Sequence, residues 1–295
     1  MKKAAPFLVL ISSLCWASTG IITRYTGTIG FTVVQNSAMR IFCAAVALVL
    51  FLLITDRGKL KIKRKDFKWF AACGIFSLLM NNLSYSATVQ LASLSVAVVL
   101  LYTSPIFVMI LSFIIFKEKL TVHKLTAAAM AFAGCLLTVG LSGSHPGSNP
   151  GLVLATGLAA GLGFGLYSIF GKFLVGRYAP MTIPTYSFIV AAVVLLSICH
   201  PADMIAKASA DLSKLPLIII GSILSQAVPY VCYSNALKYM ESSTASIMVS
   251  FEVVMASLYG VMLYGEKLDI FNVTGIFCII AAVVLLEAKK VNKFQ

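Results

Sequence analysis

Apolar residues run in long blocks along this chain, and polar residues fall in the breaks between them. Ten apolar stretches can be drawn: 4–25, 33–54, 67–91, 94–116, 122–141, 150–175, 181–200, 214–237, 242–264 and 270–288. A helix needs about 20 predominantly apolar residues to cross the hydrocarbon of a bilayer. The pattern therefore predicts an all-α integral membrane protein with ten transmembrane helices. Residues 142–149, rich in Gly, Ser and Pro, predict a linker. The first stretch follows Lys2-Lys3, as a signal peptide would. It lacks an Ala-x-Ala site and is long enough to span, so a retained helix is expected.

A second pattern overlies the first. Tyr102–Leu120, an apolar run containing a proline and ending in Lys117-Glu118-Lys119, returns 148 residues later as Ser250–Leu268. The same offset places Glu118-Lys119-Leu120 on Glu266-Lys267-Leu268, Tyr85-Ser86 on Tyr233-Ser234, Ser77 on Ser225, Ser95 on Ser243, Thr126 on Thr274 and Arg24 on Lys172. One constant offset along the chain marks a duplication, with repeats expected over 1–141 and 150–295.

Composition agrees with the membrane reading. Hydrophobic residues make up 60% of the 295, charged residues 11%, and the mean hydropathy is +0.96; soluble domains carry roughly 25% charged residues. The net charge of +13 would suggest nucleic acid in a soluble protein. Here the basic residues cluster at the ends of apolar stretches, so no nucleic-acid partner is expected. The seven cysteines lie in apolar stretches without a CxxC pair, and the histidines sit at stretch ends. Neither a disulfide framework, a metal site nor a cofactor is expected.

If the N-terminus is cytoplasmic, 18 Lys and Arg residues fall at inner ends of the stretches and 4 at outer ends. The positive-inside rule then places both termini in the cytoplasm. Each repeat holds five stretches, an odd number, so the second copy enters the membrane from the opposite side. Two inverted five-helix repeats are a construction of secondary transporters, in which exchanging the conformations of two similar halves moves a site between the two sides.

The chain resembles the drug/metabolite transporter superfamily, specifically its EamA-type members. The carrying residues are Pro105-Ile106-Phe107 with Phe116–Leu120, Phe251-Glu252 with Tyr264–Leu268, and Trp16-Ala17-Ser18. The resemblance implies a ten-helix transporter of the inner or plasma membrane, with a cavity lined by helices 1, 3, 4, 6, 8 and 9. It also implies a substrate among amino acids, related metabolites, sugars or nucleotide derivatives, often exported. The family often has proline after the ninth-helix glutamate; Val253 stands there, which leaves a kink open.

Gln226, Tyr230 and Tyr233 share one face of the eighth stretch. Asn82 and Tyr85 are the offset mates of Tyr230 and Tyr233, and Asn81 is close to the same face. Against lipid such groups would be unpaired, so they line a wet cavity or bond to neighbouring helices. Tyr102 and its mate Ser250 extend this set of substrate-binding candidates. Trp16 is either a cavity wall or a core aromatic.

Glu252 is an acid near the middle of the ninth stretch, either carrying protons or bracing helix packing. It lies about 200° around an ideal helix from Ser250, so a cavity on the Tyr102/Ser250 face would leave it pointing away. Arg40, roughly 10 Å into the second stretch, either holds a substrate carboxylate, snorkels outward, or pairs with Glu252 or a carbonyl. Gly157, Gly161 and Gly165 form a small-residue seam expected to face Ser12, Ser13, Ala17 and Gly20.

The expected function is a secondary transporter, an exporter of a small polar metabolite such as an amino acid. The alternatives are an uncoupled facilitator or a membrane scaffold. An enzyme is not expected, since Glu252 is the single deeply placed acid and catalysis needs a constellation at one depth. The partners are a small-molecule substrate, the bilayer and, as an open question, protons; no oligomeric state is assigned.

Overall fold

The structure, a computed structural model, describes residues 4–139, 149–265 and 267–291. The regular elements among them are all helices. The long ones are α1 (Ala5–Gly27), α2 (Val33–Thr55), α3 (67–91), α4 (Ser95–Phe116), α5 (Val122–Val139), α6 (Pro150–Leu174), α7 (Thr182–Ile198), α8 (Leu212–Leu237), α9 (Ser242–Tyr264) and α10 (Ile270–Val291). Each coincides with one apolar stretch of the sequence. Seven are long and apolar enough to cross a membrane, or eight if α7 and the short helix Pro201–Ser209, bent 92° from it, form one span. α3 is built from three joined pieces, and the apolar part of α10, Ile270–Leu286, is short. Residues 140–148, which include most of the expected linker, lie outside the described residues, as do Glu266 and the terminal lysines Lys2, Lys3 and Lys293.

Polarity is arranged for a bilayer. Serines such as Ser12, Ser13, Ser112, Ser187 and Ser243 are fully buried, while Phe7, Ile54, Phe76, Val193 and Met262 are exposed. Local signals set the helix ends. Thr32 and Gln35 form a reciprocal capping box at the start of α2, with N···O distances of 3.2 and 3.0 Å. Asn149 caps α6, whose first residue, Pro150, has no N–H to satisfy.

The irregularities repeat at the sequence offset. α4 breaks at Tyr102–Thr103 and α9 at Ser250, its mate, where the Ser250 and Val253 N–H groups each bond three residues back rather than four. The kink left open by Val253 therefore forms without proline. α3 contains a π-helical piece, Cys73–Leu79, and α8 another, Ile223–Ala227; their last residues are offset mates. α4 ends on Lys117 and α9 on its mate Gly265, both left-handed, with φ of 56° and 66°. At that conformation Gly265 carries no Cβ penalty and Lys117 does.

Packing follows the same relation. α1 packs on α8 and α9, as α6 packs on α3 and α4. α2 packs on α7, and α5 on α10. These last two pairs run antiparallel. Gln35 at the start of α2 bonds the Cys199 carbonyl and Asp203 beyond the end of α7. Thr182 and Tyr186 at the start of α7 bond the Lys59 and Leu60 carbonyls beyond the end of α2. In α5 and α10, Asn272 reaches the Thr138 carbonyl at 2.8 Å, while a Cβ at Gly134 would meet Ile279.

One expectation is corrected here. The seam of Gly157, Gly161 and Gly165 packs on Leu100, Thr103, Ser104 and Val108 of α4, not on α1. The glycines admit the broken turn of α4, whose carbonyls at Leu100 and Leu101 lie 2.9 and 3.2 Å from where a Cβ on Gly161 would sit.

Candidate functional site

The breaks in α4 and α9 and the π pieces of α3 and α8 surround the middle of the bundle. There Trp16 (α1), Phe164, Gly165, Tyr167 and Ser168 (α6), Tyr230 and Tyr233 (α8), Ser104 (α4) and Ser246 (α9) line a small cavity. Its volume, about 10 Å³ for the centre of a water-sized sphere, holds little more than one water. The walls are aromatic edges and faces. Trp16 meets Tyr230 at 5.1 Å between ring centroids, Tyr233 at 5.5 Å and Phe164 at 5.7 Å. Tyr167 meets Tyr230 at 4.7 Å. Two hydroxyl pairs fix the rings: Tyr233 with Ser168 at 2.7 Å, and Tyr167 with Ser234 at 2.9 Å.

Of the residues singled out from the sequence, Trp16, Tyr230 and Tyr233 line this cavity. A second polar group adjoins it through Tyr230. Arg40 lies within electrostatic reach of Tyr230, Tyr85 and Glu252. Glu252 also lies within electrostatic reach of Tyr102. Glu252 itself does not line the cavity.

The remaining candidates are placed differently. Asn82 donates to the Leu78 carbonyl in the π piece of its own helix at 2.7 Å, and Asn81 to the Ala160 carbonyl of α6 at 3.0 Å. Both amides thus hold backbone, and neither lines the cavity. Gln226 is buried in the π piece of α8, and Ser250 is buried at the break in α9. Tyr167, Ser168, Phe164 and Ser104 are cavity residues that the sequence reading did not single out. For Phe164 a signal existed, because it is the offset mate of Trp16. For Tyr167 and Ser168, whose mates are Thr19 and Gly20, nothing in the spacing stood out.

Charged groups cluster at one end of the bundle. After the left-handed Lys117, the Glu118 carboxylate accepts the first N–H groups of α9, from Ser242 at 2.9 Å and Ser243 at 3.2 Å, and the Ser243 hydroxyl at 2.5 Å. A carboxylate suits that place, since a helix N-terminus carries unpaired donors and a partial positive charge. Lys124 is buried beside it, 2.7 Å from Glu241, 3.8 Å from Glu118 and 2.8 Å from the Ser243 hydroxyl. Lys172 donates to the carbonyls of Leu237 and Met240 beyond the end of α8. At the opposite end its mate Arg24 lies over the Tyr264 ring at 4.1 Å, and Asn272 and Ser93 stand where the offset maps Lys124 and Glu241.

Nearby, Asp66 accepts from Tyr178 at 2.7 Å and from Arg177 at 3.0 Å, joining the loop before α3 to the loop before α7. The Tyr178 hydroxyl, and then the Arg177 and Lys65 charges, hold the Asp66 carboxyl below the usual carboxylate range despite its burial. Among the described residues no three of His, Cys, Asp or Glu stand close enough to hold a metal ion.

Comparison with known proteins agrees with this architecture. The profile of the EamA-like transporter family matches twice, over residues 3–140 and 150–287. An "Uncharacterized transporter" of Archaeoglobus fulgidus is 27% identical, covering 83% of this chain and 86% of its own. The "Uncharacterized transporter YxxF" of Bacillus subtilis is 23% identical over 99% of this chain and 92% of its own. A "Probable terminal-alkyne amino-acid exporter" of Streptantibioticus cattleyicolor is 26% identical over 84% of this chain and 81% of its own. A solved structure only 14% identical superposes with a TM-score of 0.80 over 99% of both chains, and shares the fold. With both halves of the chain matched by one profile, this multi-pass membrane protein belongs to the EamA-like transporter family.

Proposed function

We propose that this protein is a secondary transporter that exports a small polar metabolite, such as an amino acid, by alternating access. Its working parts are two inverted five-helix repeats, 1–141 and 150–295, joined by 142–149 and crossing the membrane ten times. The observation that carries this reading is the placing of matched breaks, Tyr102–Thr103 in α4 and Ser250 in α9, beside one central aromatic cavity. A broken helix can rearrange at its break without unfolding. Two such helices, one from each half, offer a way to open the cavity on alternate sides. The antiparallel pairing of α2 with α7 and of α5 with α10 supports the inversion, since each pair joins equivalent helices of the two halves. The exporter with an amino-acid substrate among the relatives supports the choice of solute class.

In this reading the ionic cluster around Glu118 closes the cytoplasmic end. Both termini lie in the cytoplasm of a cell bounded by the inner or plasma membrane. The test is exchange of labelled amino acids across liposomes containing the purified protein. Saturable exchange above that of protein-free liposomes is expected. Folded, reconstituted protein that exchanges no amino acid or other small polar solute would falsify the transport reading. Orientation is tested separately by cysteine labelling in a cysteine-free background. Labelling of the 207–214 loop from the cytoplasmic side alone contradicts the topology.

A further inference from the structure

Arg40 is an unusual residue for the interior of this bundle. It is 7% exposed, so its side chain does not snorkel to a surface. Nor is it paired: it forms no hydrogen bond or ion pair with any described residue, and its Nε and Nη1 atoms are fully buried without a partner. Glu252 acts on it electrostatically but lies beyond ion-pair distance. A guanidinium stays charged at any pH a cell reaches, and a buried charge is tolerated only when something accepts from it. The planar fork of N–H donors matches a carboxylate.

The surroundings narrow the ligand. Tyr230 relates the two: its ring lines the central cavity, and it lies within electrostatic reach of Arg40. Among the described residues the Tyr230 hydroxyl has no hydrogen-bond partner, so it too has a bond to offer a solute. Arg40 is a single cation, too little for a polyanion. A simple monoanion would meet Glu252 as a like charge. A solute carrying one carboxylate and one ammonium suits both: the carboxylate on Arg40, and the ammonium toward Glu252 and the aromatic faces of Trp16 and Tyr230.

We infer that Arg40 is the carboxylate-binding group of this transporter and that its solute is a zwitterionic amino acid. The inference rests on the transport reading above, but it is tested by binding rather than by transport. The probes are the common L-amino acids, each with its methyl ester and its decarboxylated amine, scored by thermal stabilisation of the full-length protein in detergent. The expected result is stabilisation by one or more free acids, with the ester and the amine weaker by about ten- to hundredfold, the range for a charged hydrogen-bonded pair.

Arg40→Lys keeps the charge and loses the fork, so it should weaken the acid and leave the ester unchanged, narrowing the ratio. The ligand series on the unaltered protein needs no variant to fold. The inference is overturned if ester and acid bind the unaltered protein equally, if only solutes lacking a carboxylate stabilise it, or if Arg40→Lys keeps the acid-to-ester ratio. Each of those outcomes leaves transport standing. Failure of transport itself shows in the liposome exchange and not in this series.

Discussion

Trp16 and Phe164, 148 residues apart in sequence, meet edge to face with ring centroids 5.7 Å apart. A two-fold rotation that exchanges equivalent residues of two halves must bisect the line between any residue and its mate. Mates that touch therefore lie on the axis. Trp16 also faces Tyr230 and Tyr233, so the axis passes along the cavity wall. Trp16→Phe keeps an aromatic ring but removes part of a buried side chain, so it should cost about 1–3 kcal/mol. It also reshapes the wall, so solute affinity should change. If stability falls while affinity and exchange in liposomes are unaltered, Trp16 is packing and not a wall.

The contact of α5 with α10 makes a sharper stability prediction. A Cβ on Gly275 would lie 2.5 Å from the Gly134 carbonyl oxygen, a backbone atom that moves only if the helices part. Gly275→Ala should destabilise by about 1–3 kcal/mol, the usual cost of overpacking. Gly20→Ala in α1 is the control, because a Cβ there meets nothing within 4 Å. It should stabilise by up to about 1 kcal/mol through helix propensity. Denaturation in detergent compares the two, and equal effects would refute the close approach.

Asp66 predicts a pH dependence. Its carboxyl, held low first by the Tyr178 hydroxyl, stabilises the fold above the ordinary aspartate pKa, near ~3.9. That contribution is lost as pH falls through the lower folded value. The difference in melting temperature between the unaltered protein and Asp66→Asn should therefore be constant between about pH 5 and 8 and shrink below about pH 4. A difference that instead grows on acidification contradicts the assignment.

Much of this architecture was legible in the chain because it rests on two long-range regularities, block hydrophobicity and the 148-residue offset. The same offset relates the left-handed ends at Lys117 and Gly265, of which only the glycine is a usual residue for that conformation. Other features left no trace. π pieces have no residue signature, so the bond of the Asn82 amide to the Leu78 carbonyl in its own helix could not be foreseen. The break at Ser250 occurs without proline, so nothing in the residues announced it. The glycines of α6 announced a close contact but not its partner, since small residues specify a distance and not an identity.

The ionic cluster at Glu118 supplies the last prediction. Glu118 and Lys124 are both buried, and the carboxylate takes three hydrogen bonds from the first residues of α9. Glu118→Gln removes the charge and places an amide N–H₂ against donors, so at least one buried N–H or the Lys124 ammonium loses its acceptor. Leaving a buried donor without its acceptor costs about 1–3 kcal/mol, and Lys124 keeps its 2.7 Å contact with Glu241, so Glu118→Gln should destabilise by about that much. Glu241, by contrast, is about half exposed, and water can replace its contact with Lys124. Glu241→Gln should thus change stability by about 1 kcal/mol at most. If the cluster closes this end of the bundle, its loss should also free the start of α9 to move. Ser246, one turn further along α9, lines the cavity beneath and reports on that opening. In a cysteine-free background, a cysteine placed at Ser246 should react slowly with a polar maleimide, faster in Glu118→Gln, and little faster in Glu241→Gln. A folded Glu118→Gln variant with unchanged labelling at that position would mean that the cluster caps a helix and does not hold the cavity shut.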